Sequence, residues 1–456
     1  MRELAEATLS FLWVMSLFGV KQVANVLTPQ GISLPTATAV AAFDSVTQAT
    51  EGQFSDLFDV AFQAGDQLQR DVVDLLFRVL TLEVLRPSSL TRLSANTVQQ
   101  AAETLRVFIP GQTSLAAWQE LMNKLEVYFL VQNVRSALQL PLGTNFSLLE
   151  FTERAYARGA YAALWAVEGL GLYYGNTFWE RHETPHHLLT DEHVRTLPTK
   201  SLLMLHAGIG LSFAQHLLRP VYPQSPTSDI RDILQQFVML CRNNSMRGYV
   251  GAAYESLGLV ARTFHPRMIY ILAQQLSEVA QDAVDYYWHG VGRALYFFPT
   301  YFVPGSCSPW QAAEREAPHE LAWYNMQAGL TWAFTLVNQR QPNIMEMFLK
   351  YRGNQLSTSD AFANGVMSTI MMRYDTTPDA PFITPFCQYQ PDTYDPGLMA
   401  LWHDQVAGPC QVALQQYYPI LKEHNRLDTI FRYQPLAALV DQLQRESRVD
   451  TEPLTV

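Results

Sequence analysis

The sequence is short of charge, of paired cysteine and of strand signals. Of its 456 residues only 16% are charged against 48% hydrophobic; this excludes an intrinsically disordered chain, which lacks the apolar surface to fold. Lys and Arg total 31 against 42 Asp and Glu, a formal charge of −11, so a surface built to neutralise nucleic-acid phosphates is excluded. The cysteines Cys241, Cys307, Cys387 and Cys410 show no Cys-x-x-Cys or Cys-x-x-Cys-His spacing. That removes a thiolate zinc site and covalent haem, and makes a reducing cytoplasm the simplest location. A GxSxG elbow, a GxxxxGK[ST] loop and a strand-linked GxGxxG are all missing, which sets aside hydrolase, kinase and Rossmann readings. Alternating β-branched runs closed by two-residue turns are missing too.

What is present has a helical period. Phe54, Leu57, Phe58, Ala61 and Phe62, then Leu68, Val72, Leu75, Leu76 and Val79, recur at three- and four-residue steps with acids and glutamines between them. A further amphipathic helix starts at a Ser114 cap, carries Trp118, Leu121, Leu125, Phe129 and Leu138, and stops near Pro141 and Gly143. Ala7–Val20 is uncharged but shorter than the ~20 residues of a membrane span. A signal peptide would want a positive leader and a small-residue cleavage site, whereas Glu3 and Glu6 precede this stretch and KQVANVLTPQG follows it. The stretch reads as a helix packed on the protein's own core, or in shallow contact with a membrane surface or an acyl-carrying partner. The Pro-containing segments 181–200, 219–229, 299–319 and 375–397 read as loops. The fold class expected is mostly α: a helical bundle with an N-terminal helical cap, residues 1–145, and a helical core domain, residues 146–456.

Beyond residue 145 polar groups sit inside apolar helices. Gly159–Phe178 contains one charge, Glu168, and an ionised carboxylate there needs a cation or a metal. His206 lies in an equally apolar run beside Gly208 and Gly210, glycines that admit close approach of a neighbouring helix. A second copy of the arrangement follows. Glu255 stands in Met246–Val260 and His289 precedes the Gly-x-Gly of Asp285–Phe298. The duplication predicts a pseudo-symmetric core bringing two carboxylates and two imidazoles toward one axis. Such oxygens and nitrogens on facing helices bind Fe, Mn or Zn in bundle cores.

The candidate ligand set is therefore Glu168, His206, Glu255 and His289. Asp285, four residues before His289 on the same helical face, is added to it, and Glu320, at the start of another apolar helix. Glu153 and Glu278 are reserves, and the Glu-x-x-His pair of ferritin-like sites is missing from these apolar segments. The competing reading of each group is a buried salt bridge to Arg158, Arg247 or Arg293. His182, His186, His187 and His193 read as surface residues of a loop. Tyr173, Tyr174, Trp179, Tyr286, Tyr287 and Trp288 read as core, with Tyr173 and Tyr287 the candidate walls of a narrow apolar substrate channel.

The segments RGAYAALWAVEGLG, LHAGIGLSFA and WHGVGRALYF look like uncharacterised proteins encoded in enediyne biosynthetic clusters. Over its whole length, including FDSVTQATEGQFSDLFDVAFQAGDQLQRDVVDLL, the chain more closely resembles the dimetal-carboxylate halogenases of the cylindrocyclophane type. The second resemblance implies an enzyme with two iron ions that uses O2 and chloride to replace an unactivated C–H by C–Cl. The substrate implied is a fatty acyl chain on an acyl carrier protein. The first implies only a place in natural-product biosynthesis. Two expectations from different classes follow: a di-iron halogenase, or hydroxylase or desaturase, and a non-catalytic helical partner or carrier whose polar core residues fix helix register.

Overall fold

A computed structural model describes residues 114–132, 134–141, 147–190, 195–298, 309–353, 356 and 360–451. The helices expected at 7–20 and 54–79, and His193, lie outside the described residues. Every regular element that is described is helical, so the fold is mostly α. The chain divides into two compact units, Met1–Trp118 with Val303–Ser306, and Gln119–Phe302 with Cys307–Val456; the second contains the candidate site.

The helices run α1 Ser114–Gln132, α2 Val134–Leu138, α3 Leu148–Tyr156, α4 Ala160–Glu180, α5 Leu202–Leu218, α6 Thr227–Asn244, α7 Val250–Phe264, α8 Ile269–Val279 and α9 Val284–Phe297. They continue with α10 Pro309–Glu316, α11 Glu320–Asn338, α12 Pro342–Arg352, α13 Ala361–Thr376, α14 Ile383–Gln388, α15 Pro396–Trp402, α16 Gly408–Val412, α17 Tyr418–Glu423 and α18 Leu436–Thr451. Their boundaries follow local chemistry. Ser147 accepts from Glu150 N at 3.2 Å and caps α3; His319 Nδ1 accepts from Ala322 N at 3.1 Å and caps α11. Pro342 opens α12, where its missing N–H is harmless. Pro409 and Pro419 remove donors from a longer helical run, and π turns at His403–Ala407 and Ala413–Tyr417 precede them.

Six helices, α4, α5, α7, α9, α11 and α13, form the core, each packed against the next in that order. Because α5 is flanked by α4 on one side and α7 on the other, its residues are buried nearly all round and its helical periodicity disappears. With Thr199–Ser201 it is long and apolar enough to cross a membrane, yet it lies inside this core. By contrast α6 buries Ile230, Leu234, Phe237, Val238 and Cys241 along one stripe, with Leu240 and Asn244 beside it, and leaves most of its polar residues exposed.

One packing device recurs between successive core helices. A Cβ placed on Gly171 of α4 would lie 2.5 Å from the Leu205 carbonyl oxygen of α5, and one on Gly208 of α5 would lie closer still to the Glu168 carbonyl oxygen. The next interface repeats the pattern two residues on. Gly210 of α5 faces the Ala253 carbonyl of α7 at 2.5 Å from a built Cβ, and Ser256 of α7 donates Oγ–H to the Ala207 carbonyl at 2.9 Å. The pairs Gly258 with Gly290 and Gly292 with Gly329 serve α7 against α9 and α9 against α11. A two-residue step turns about 200° around a helix, so the glycines of each Gly-x-Gly face opposite neighbours. His-Ala-Gly-Ile-Gly and His-Gly-Val-Gly-Arg are thus helix-stacking motifs, and the repeat runs finer than a single duplication.

Candidate functional site

This close stacking brings charged side chains from three core helices to one buried centre. Arg293 of α9 donates from Nη2 to Glu168 Oε1 of α4 at 2.5 Å and from Nη1 to Glu255 Oε2 of α7 at 3.0 Å. One turn earlier on α9, His289 donates Nδ1–H to Glu255 Oε1 at 3.3 Å. That bond fixes the tautomer and leaves Nε2 as a lone pair; Nε2 is buried with no partner, as are Arg293 Nε and the neighbouring Trp332 Nε1. The guanidinium stacks over the Trp332 ring of α11, 4.7 Å from its centroid. All four charged or titratable side chains are at most 4% exposed.

The electrostatics follow from burial. Loss of solvent raises the Glu168 carboxyl above its ordinary range, against the pull of Arg293. Glu255 feels the same loss of solvent, but Arg293 and His289 together outweigh it and bring its carboxyl below that range. Burial lowers His289, with Glu255 opposing. Arg293 stays charged: burial disfavours its cation, and the two carboxylates more than offset this. Burial thus pushes Glu168 and His289 toward their neutral forms and leaves Glu255 as the ionised partner of Arg293, the direction expected in a dry interior.

The expected six ligands do not converge. Glu168, Glu255 and His289 meet, but His206 stands apart, because both its nitrogens are taken by backbone. Nδ1–H donates to the Leu202 carbonyl at 2.6 Å and Nε2 accepts from Met246 N at 3.1 Å. Its ring stacks on Tyr249 with centroids 5.0 Å apart, and burial lowers its pKa to about 4. Asp285 accepts from Asn325 Nδ2 at 3.2 Å near Arg432. Glu320 is exposed and accepts from Tyr324 at 2.5 Å. Of the reserves, Glu153 is exposed and Glu278 pairs with Arg231. Among the three arginines considered, Arg293 is the partner; Arg158 donates to the Ala137 carbonyl at 3.0 Å and Arg247 is exposed.

A di-iron centre therefore does not fit this donor set. The two carboxylates are held by one guanidinium, one imidazole has no free lone pair, and no group of three or more His, Cys, Asp or Glu among the described residues is arranged to hold a metal. The expected channel walls hydrogen-bond to backbone instead of presenting free hydroxyls. Tyr287 is fully buried and donates to the Ile269 carbonyl at 2.8 Å, while Tyr173 donates to the Pro141 carbonyl at 2.6 Å. His182, His186 and His187 are exposed in a loop.

A cleft lies elsewhere, between α10, α11 and α12. It measures about 450 Å³ including its solvent-open part, with Trp310, Trp323, Phe348 and Leu356 as apolar walls and Glu314 and Arg352 as charged ones. Sequence reasoning missed it because α10 and the start of α11 fall in or beside a segment read as loop. The one signal was Trp310 followed at helical spacing by Ala313 and Glu314. Comparison with known proteins finds no matching family model, curated protein or solved structure.

Proposed function

We propose that this chain acts by binding: a non-catalytic helical carrier or partner that holds an amphiphile, with its charge centre serving to fix the register of the core helices. The observation that supports this reading is Arg293, which occupies both carboxylates and leaves the centre closed on itself. In the α10–α12 cleft, aromatic walls suit an apolar chain, and Arg352, which makes no ion pair among the described residues, suits an acidic head. Titrating the full chain with a medium-chain fatty acid while following tryptophan fluorescence tests it. Saturable quenching that weakens on Trp323→Leu and Arg352→Gln is expected; a flat response in the wild type counts against a ligand of this class.

A di-iron oxygenase or halogenase acting on a carrier-bound acyl chain is the second reading, and one observation favours it: the bare, buried Nε2 of His289 beside two carboxylates. It requires Arg293 to leave the centre. Elemental analysis and Mössbauer spectroscopy of protein made in iron-replete medium separate the two readings. The binding reading expects no stoichiometric iron, whereas a coupled pair of irons per chain would establish the second.

A further inference from the structure

The core holds a second buried arginine, and it lacks what Arg293 has. Arg373 of α13 is 0% exposed. Nε donates to Gln339 Oε1 at 3.1 Å and Nη1 to the Ala160 carbonyl at 3.2 Å. Nη2 has no partner, and neither does the buried Nε2 of the same Gln339. No carboxylate among the described residues pairs with it. Instead it lies 5.6 Å from the Tyr161 ring centroid and 5.3 Å from that of Phe382. A second cation, Arg340, covers Tyr161 at 3.6 Å and is itself matched by Glu126.

An uncompensated guanidinium in an apolar site is among the costliest arrangements a core can contain. In the planar guanidinium, Nε and Nη2 share one edge, the edge that accepts a carboxylate in fork geometry. Gln339 fills half of that edge with its amide oxygen, and its own Nε2 is likewise buried with no partner. Two unsatisfied donors around one positive charge describe a receptor for an acceptor-only anion. The anion must be monovalent, since only one positive charge is unmatched, and cheap to strip of water, since the walls are Tyr161 and Phe382. Chloride meets both conditions; sulfate and phosphate bring charge that nothing here offsets.

We propose that Arg373 and Gln339 form a buried chloride site that completes the packing of α13 against α4 and α11. Burial, together with Arg340, lowers the Arg373 pKa to about 9, which agrees with a cation missing its counter-ion.

The test uses the full chain. Thermal unfolding is followed in sodium chloride and in sodium gluconate at equal ionic strength, for wild type, Arg373→Met and Gln339→Glu. A ligand that binds only the folded state raises the midpoint with its concentration. The wild-type midpoint should climb by several degrees with chloride and not with gluconate, and Arg373→Met should lose that response. Gln339→Glu supplies the missing carboxylate in fork geometry, so it should fold, match the chloride-saturated wild type in gluconate, and ignore chloride. Crystals grown in bromide should show an anomalous peak within hydrogen-bond reach of Nη2. Equal wild-type midpoints in the two salts, undiminished chloride dependence in Gln339→Glu, or only water at Nη2 in bromide crystals would each overturn the site.

Discussion

His206 gives the sharpest quantitative test of the fold. Its Nδ1–H is bound by the Leu202 carbonyl and its Nε2 accepts the Met246 N–H, so a second proton would set N–H against N–H in a site with no exposure. The folded pKa is accordingly about 4, whereas an unfolded histidine titrates near ~6.5. Between those values the unfolded chain holds the proton and the folded chain does not, so stability falls as pH drops through that window. Linkage over the full interval amounts to about 3 kcal/mol, and to about 2 kcal/mol between about pH 7.5 and about pH 5. Burial also lowers His289, His216 and His265, so the total slope is steeper and a difference curve is needed. Urea unfolding of wild type and His206→Gln across this range isolates the residue. The variant should be less stable near neutrality and lose less on acidification, the two curves closing by about 2 kcal/mol. Parallel curves would show that His206 is solvated or protonated in the folded state, and the two backbone bonds assigned to it would be wrong.

Gly208→Ala places a Cβ inside the Glu168 carbonyl contact of α4, a clash with backbone that cannot rotate away. It should cost about 3 kcal/mol or more by denaturant unfolding. Gly159→Ala meets only the strain of a positive φ with open space around it, and should cost about 1 kcal/mol. Lys422→Met strips the cation from Asp375, whose side chain is 1% exposed and bonded by Lys422 Nζ at 2.6 Å. A loss of about 3 kcal/mol is expected by denaturant unfolding near neutrality; an unchanged stability would show that Asp375 does not depend on this cation.

The mostly α class was legible because strand chemistry is missing and apolar residues recur at helical steps. The meeting of Glu168, Glu255 and His289 was legible as well, because ionisable groups inside apolar helices must find one another. His206 was not separable from them. In α5 every side is covered, so the sequence carries no period from which to read the direction of its imidazole. Arg293, four residues after His289, was visible as a salt-bridge partner, but only the coordinates show it reaching two helices at once. Asp285 shares the His289 face, yet sits a turn nearer the helix start, where Asn325 and Arg432 take it. The Gly-x-Gly motifs were read as close-approach sites; their two-sided use follows from helix geometry once the neighbours are known. Gln339 and Arg373 left no motif, since a missing counter-ion is visible only in three dimensions.

Arg293 is the cation for both Glu168 and Glu255, and the cluster needs no other. The decisive comparison is the unfolding free energy of Arg293→Met beside that of the triple variant Glu168→Met, Glu255→Met and Arg293→Met. Removing the guanidinium alone should cost about 3–5 kcal/mol by leaving the buried carboxyl groups without their cation, and replacing all three by apolar groups of similar volume should recover most of that loss. A wild-type stability in Arg293→Met would contradict the claim, because the carboxylates would then have another cation to hold.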